Sequence, residues 1–173
     1  MNLHPISVHF PVALFTLYAL LECARFRKIK EQAFYFYLKA FLVITGSIAS
    51  GVAYITGDLL KNQLPNDPQL RSLVELHSNW AMITIGIFGL IALAYFLTWL
   101  TRHNAFGPNT DQILRRIIDT AERFTNSWLV ILFAVAGLIS VTITGALGGS
   151  IVYGPRVDPV VIFIYWLFSL PSS

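Results

Sequence analysis

Four long apolar segments, separated by shorter polar ones, set the pattern of this 173-residue chain. The segments run over residues 6–24, 33–60, 73–100 and 127–152. Each is long enough to cross the roughly 30 Å hydrocarbon core of a bilayer as a helix. The pattern therefore predicts an all-α integral membrane protein, built as an up-down bundle of four helices.

Two shorter segments add to this pattern. Residues 110–124 place apolar side chains at helical spacing with charged ones between them, which predicts an amphipathic helix on the inner membrane surface, capped by Thr110. Residues 159–171 are almost wholly apolar but too few to span. The predicted domains are thus a transmembrane bundle over residues 1–157 and a short tail over 158–173, at the interface or packed on a partner subunit.

Composition and charge fix the class and an orientation. The chain is 55% hydrophobic and only 12% charged, which is typical of a membrane protein and not of a soluble or nucleic-acid-binding one. The first segment lacks a basic flank and a small-residue cleavage site, so it does not read as a cleavable signal peptide. The predicted loops carry nine basic residues on one side of the membrane and three on the other. The nine are Arg25, Arg27, Lys28, Lys30, Lys39, Arg102, Arg115, Arg116 and Arg123, and the three are Lys61, Arg71 and Arg156.

The basic side is expected to be cytoplasmic, because cationic loops are retained inside. This predicts a multi-pass protein of the bacterial inner membrane with both termini extracytoplasmic.

Two histidines share a local pattern. His9 is followed by Ala13 and Thr16, and His77 by Ala81 and Thr84, which puts each set on one helix face. A histidine within a membrane-length segment is costly and so marks a site. Since the first and third helices are diagonal in an up-down bundle, the pattern predicts that His9 and His77 face each other.

The same two segments indicate a duplicated helical hairpin. The tripeptide Ile-Thr-Gly occurs at residues 55–57 and again at 143–145, each time in the helix after one of the histidines. The halves would be related by an axis along the membrane normal. Small residues line the second and fourth helices, which indicates either close helix packing or room for a flat macrocycle. They are Gly46, Ala49, Ala53 and Gly57, then Gly137, Ser140, Thr144 and Gly148.

The residues alone leave three functions for this cluster open. The first is a haem b with His9 and His77 as axial ligands. Ala13, Ala81, Gly57 and Gly148 would then face the macrocycle, and Lys61, Arg71 and Arg156 would meet its propionates. The second is a small metal site that adds His4, Asp58 or Glu75. The third is structural, with the histidines hydrogen-bonded inside a scaffold.

The positions of His4, Glu75 and His103 along their predicted helices make them weaker candidates for a shared site. His4 and His9 are five residues apart, about 140° around a helix, so they do not share a face. Ser72 and Glu75 form a capping-box pattern, which predicts that Glu75 caps the third helix. His103 falls at the opposite end of the bundle and is expected to be a solvated loop residue.

The chain resembles the DUF2231 family of bacterial four-helix membrane proteins, whose function is not settled. The resemblance is carried by the motif His-Pro-x-x-Val-His-Phe-Pro at residues 4–11, together with Gly57-Asp58, His77 and Gly-Gly-x-x-Val-Tyr at 148–153. It covers about residues 3 to 154. In one place the chain departs from the family pattern: Pro155 stands where members often carry a histidine. If that histidine is a ligand in the family, this chain lacks one site.

The resemblance implies a fold like that of b-type cytochrome bundles, and electron transfer outside the membrane. It also implies other membrane subunits as partners, with c-type cytochrome or Rieske proteins on the outer side, and it is compatible with a quinone as second cofactor. We therefore predict a membrane subunit of a redox complex that holds haem b and is not an enzyme on its own. The alternative is a haem-free structural or assembly subunit.

Overall fold

The computed structural model describes residues 4–24, 32–61, 65, 67–105, 107 and 110–168, and nearly all of these lie in six α-helices. None of the described residues forms a strand, and the all-α prediction is confirmed. The helices are α1 His4–Ala24, α2 Ala33–Lys61, α3 Pro68–Arg102, α4 Gln112–Asn126, α5 Leu129–Tyr153 and α6 Pro159–Leu167. The basic loop at 25–30 and the last residues of the tail, 169–173, lie outside the described residues.

Two helices begin at caps that the sequence analysis misplaced. The carboxylate of Asp67 accepts a hydrogen bond from the backbone N–H of Gln69 at 2.9 Å, so α3 starts at Pro68. Ser72 and Glu75 therefore lie inside the helix, and the capping-box prediction is wrong. Asp111, not Thr110, caps α4, through a 2.7 Å bond from the N–H of Ile113.

The four long helices form the predicted bundle. α1, α2, α3 and α5 are each long and apolar enough to cross a membrane. They contact in a closed ring, α1 with α2, α2 with α3, α3 with α5 and α5 with α1, so α1 and α3 lie on a diagonal. We call the end where α1 and α3 begin the histidine end, and the end where they finish the basic end.

Aromatic rings fill the centre of the bundle. Phe15 of α1 and Phe88 of α3 are fully buried and stack with centroids 3.9 Å apart and planes 5° from parallel. Each ring also lies against a glycine of a neighbouring membrane-length helix, Phe15 against α2 and Phe88 against α5. A Cβ atom at Gly46 would come within 2.8 Å of the Phe15 ring, and one at Gly137 within 2.7 Å of Phe88. The glycines are therefore sockets for the two rings.

The same contacts give the register of the internal repeat. His4 lies against Gly57 of α2, as His77 lies against Gly148 of α5. The two histidines are 73 residues apart, as are Phe15 and Phe88; the members of each glycine pair are 91 apart. The duplicated hairpin is thus present in the contacts, but His4, not His9, is equivalent to His77, and Gly57 is equivalent to Gly148, not to Gly145 of the Ile-Thr-Gly match.

Replacing Gly137 by alanine should lower the thermal midpoint of the protein. The added methyl would overlap Phe88, which cannot yield because it is buried and stacked on Phe15, and overpacking of this kind costs about 1–3 kcal/mol. Gly86→Ala is the control, since a Cβ there meets nothing within 4 Å. Equal midpoints for Gly137→Ala and the wild type in thermal unfolding would contradict the socket.

The remaining helices pack on the outside of the ring. α4 buries Ile118, Ala121 and Thr125 and lies against α3 and α5. α6 buries Val161 and Ile164 in a cluster with apolar residues of α3 and α5. The bundle therefore covers one side of the tail itself.

A candidate site of paired histidines

His77 is held on the neighbouring helix by its Nδ1 atom. Nδ1 lies 3.0 Å from the backbone carbonyl oxygen of Thr144 on α5. Because a carbonyl oxygen can only accept, Nδ1 carries the hydrogen, and in the neutral ring the lone pair is on Nε2. The Cε1 edge rests on Gly148, where a Cβ atom would come within 3.1 Å.

A column of hydroxyl groups continues inward from His77. The Thr84 hydroxyl lies 2.7 Å from that of Ser140 and 3.2 Å from that of Thr144, and both Thr84 and Ser140 are buried. Thr144 belongs to this column through its side chain and holds His77 through its carbonyl. The orientation of the imidazole is therefore tied to a buried contact between α3 and α5.

His4 is held in a similar way at the start of α1. Its Nδ1 lies 3.1 Å from the hydroxyl oxygen of Thr56, and that hydroxyl donates its proton to the carbonyl of Ala53 at 2.9 Å. The hydroxyl oxygen therefore accepts from Nδ1–H, which again leaves the lone pair on Nε2. Burial lowers the pKa of the His4 imidazole below its usual value, although a backbone hydrogen bond to Ala53 opposes this. Near pH 7 His4 is neutral.

A lysine completes the histidine end. The Lys61 ammonium donates to the Ser78 hydroxyl at 2.8 Å and lies 3.5 Å from an Asp58 carboxylate oxygen. Lys61 and His4 both lie close enough to His77 for a positive charge on either side chain to act on that imidazole. The structure thus brings two imidazoles and one cation together where α2 ends.

A match to a protein family model identifies the family of this chain. The family described as "Predicted membrane protein (DUF2231)" matches residues 1–159. The chain belongs to the DUF2231 family. No curated protein and no solved structure matches it.

The other residues predicted to hold haem differ in how closely they lie to the pair His4 and His77. In this DUF2231 protein His9 lies on the exposed side of α1, at the position equivalent to Met82, and Ala13 is exposed as well. The matched His-x3-Ala-x2-Thr pattern therefore paired the wrong histidines as repeat equivalents. Ala81 is half-buried, and Gly57 and Gly148 are covered by the imidazoles.

The residues proposed for a small metal site do not converge. Among the described residues, no group of three or more His, Cys, Asp or Glu side chains is placed to hold an ion. Asp58 and Glu75 are exposed, as are Arg71 and Arg156, while Lys61 is half-buried. The part of the chain that the structure describes therefore does not bring the side chains of the small-metal interpretation together in one site.

A second buried polar cluster, near the basic end, was missed by the sequence analysis. The Glu22 carboxylate is fully buried and accepts hydrogen bonds from Lys39 and from the Tyr95 hydroxyl, each at 2.9 Å. The Lys39 ammonium also lies over the Tyr35 ring, 4.7 Å from its centroid. A glutamate inside the first apolar segment was the available signal, because ionisable residues in membrane spans are rare and paired. Lys39, which the sequence analysis counts among the loop charges, is therefore part of a buried ion pair.

Proposed function

We propose that this DUF2231 protein is an electron-transfer subunit of a membrane complex, and that His4 and His77 are the axial ligands of a haem b at its histidine end. One observation carries the proposal. Two imidazoles, at equivalent positions of a duplicated hairpin and on diagonal helices, each have Nδ1 fixed by a hydrogen bond to the next helix. Each therefore offers Nε2 as the donor atom.

The donor chemistry fits haem better than a bare ion. A histidine that binds metal usually donates its other ring N–H to a carbonyl or similar acceptor, which fixes the tautomer and the ring orientation. Haem iron takes only two ligands from the protein, whereas a structural zinc site takes four. The described residues supply two histidines and no group of three potential ligands.

The other residues at this end have roles that follow from their charge. Haem b supplies one-electron redox chemistry when bound. Lys61 lies close enough to His77 for its charge to act on that imidazole, so it is the residue that would neutralise a propionate. Phe15 and Phe88 lie eleven residues further along their helices, roughly 16 Å away at the rise of an α-helix. The stacked rings therefore lie deeper in the bundle than the two histidines and do not contact them.

The test is an absorption spectrum of the purified full-length protein, made in cells with ample haem. A b-type band in the reduced-minus-oxidised spectrum supports the proposal. Protein that is folded, pure and without such a band, even after incubation with haemin, overturns it. The histidines would then be structural, as hydrogen-bonded links between α1 and α2 and between α3 and α5.

For the setting of this subunit we propose the bacterial inner membrane, with the histidine end outside. Lys39 no longer counts as a loop charge because it is buried with Glu22. The remaining basic residues still divide eight to three in favour of the basic end. A c-type cytochrome or Rieske protein would then exchange electrons at the outer face. Further subunits would cover the exposed side of α6, which carries Ile162, Phe163 and Trp166.

A tag on either terminus should accordingly be reachable from outside. α1 begins and α5 finishes at the histidine end, and the positive-inside rule puts the other end in the cytoplasm. The measurement is labelling of tagged protein in spheroplasts by an impermeant reagent, with a cytoplasmic protein as the leakage control. Labelling of both termini only after lysis would reverse the orientation.

A further inference from the structure

α4 presents four different faces. Ile118, Ala121 and Thr125 are buried and form the face that packs on the bundle. Ile113 and Ile117, one turn apart, are 70% and 49% exposed although they are apolar. By the helical period they lie about 90° around the helix from the buried face. The exposed isoleucines therefore form a second apolar face that the bundle does not cover.

Two arginines border this second face. Arg116 and Arg123 are seven residues apart and so lie on nearly the same line of the helix, about 60–80° beyond Ile113 on the side away from the bundle. Asp119 follows directly beyond the arginines, three residues after Arg116 and four before Arg123, and Glu122 and Arg115 lie further round, opposite the exposed isoleucines. The order around the helix is thus protein, apolar, basic and mixed-charge.

This order fits a helix that lies in the surface of a membrane, with the apolar face towards lipid and the mixed-charge side in water. Arginines at the boundary between them sit at the depth of lipid phosphates. The position of α4 in the fold agrees, because it contacts the spans α3 and α5 near the basic end. Trp128, which follows α4 and precedes α5, is 64% exposed, and tryptophan favours the same interface.

We infer that Ile113, Ile117, Arg116 and Arg123 form a binding surface for anionic phospholipid, in which the arginines pair with headgroup phosphates. Charge complementarity favours anionic over zwitterionic lipid. The helix itself carries three arginines against two acids, and the α1–α2 segment and Arg102 add further positive charge to the same end in sequence. The inference does not depend on haem.

Arg115 provides a matched control on the same helix. Its guanidinium donates to the carbonyl oxygens of Thr110 at 3.1 Å and Gly107 at 3.3 Å, so it is engaged with the loop before α4. Replacing it by glutamine removes the same charge as replacing Arg116 or Arg123, but from the side that should face water. A general charge effect would act on all three variants alike.

The experiment is a titration of phosphatidylglycerol, phosphatidylcholine or inorganic phosphate into the full-length protein in neutral detergent, with bound lipid counted by native mass spectrometry. Wild type should prefer phosphatidylglycerol, and 0.5 M salt should weaken this preference. Arg116→Gln/Arg123→Gln should weaken phosphatidylglycerol binding by roughly 25-fold, at about fivefold for each arginine. Arg115→Gln should leave it unchanged, and Ile113→Ser/Ile117→Ser should weaken binding of both lipids.

Three results would overturn the inference. The first is equal affinity of wild type for the two lipids, and the second is an equal loss of affinity in Arg115→Gln and in the double arginine variant. The third is competition by inorganic phosphate at the concentration of the lipid, which would show an anion site without a lipid requirement. Folding is checked in each variant by the thermal midpoint without added lipid.

Discussion

Replacing His4 or His77 by alanine is expected to abolish the b-type absorption band of the purified protein, whereas replacing His9 should leave it in place. A low-spin b-type spectrum needs both axial imidazoles, and each of these two is oriented by a hydrogen bond that the other cannot replace. His9 is exposed on α1 and lies about 140° around the helix from His4. The absorption band should thus be lost completely in His4→Ala and in His77→Ala and should be unchanged in His9→Ala.

The controls separate loss of a ligand from loss of the fold. His103→Ala removes a histidine at the basic end, where the ring lies 4.8 Å from that of Trp99, and should change nothing in the spectrum. Thermal unfolding of each variant shows whether the bundle is intact. Loss of the band in His9→Ala with retention in His4→Ala would restore the pairing of His9 with His77. Retention in both His4→Ala and His77→Ala would remove the ligand assignment altogether.

The four-helix bundle could be predicted because its apolar segments are long and occur four times along the chain. Spans of twenty or more apolar residues have few alternatives to a transmembrane helix, and their alternation fixes the up-down order. The described helices accordingly lie within a few residues of the predicted spans, except where an aspartate extends one of them. Asp67 adds a turn and more to α3, since capping depends on a single side chain and leaves no periodic pattern.

The equivalence of His4 and His77 in the internal repeat could not be predicted from the sequence pattern. The local pattern around His9 and His77 is a match of three residues, whereas the true register is set by contacts with another helix. It becomes visible only when His4 on Gly57, Phe15 on Gly46 and their equivalents are seen together. The stripe of glycines was recognised, but which ring fills each socket depends on how the two helices of a hairpin are aligned along their axes.

The ion pair between Glu22 and Lys39 shows a third limit. A lysine near the end of a predicted span is most often a loop charge, so sequence position alone counts Lys39 among the residues that set the topology. Only the packing shows that Lys39 reaches Glu22 on the neighbouring helix, with side chains 10% and 0% exposed. The equivalent residues of the second hairpin, Tyr95 and Val130, carry no charge, so the repeat fold does not require this pair.

Lys39→Met should be among the most destabilising single changes in the bundle. It would leave the Glu22 carboxylate buried without its counter-ion, although the Tyr95 hydroxyl still donates to it, and breaking a buried ion pair in this way costs about 3–5 kcal/mol. The measurement is the free energy of unfolding in mixed micelles. Lys61→Met is the matched control, because Lys61 is only half-buried and its partner Asp58, 3.5 Å away, is exposed, and pairs near the surface contribute about 0–1 kcal/mol.

The double variant Glu22→Gln/Lys39→Met tests whether the charge is the cause. It removes both charges while keeping the shape of both side chains, and the second hairpin already folds with two uncharged residues at these positions. We therefore expect the double variant to recover most of the stability lost in Lys39→Met, since replacing a buried ion pair by neutral groups is often close to neutral. If the double variant is as unstable as the single one, the loss comes from the packing of Lys39 on Tyr35 and Tyr95 and not from an unpaired carboxylate.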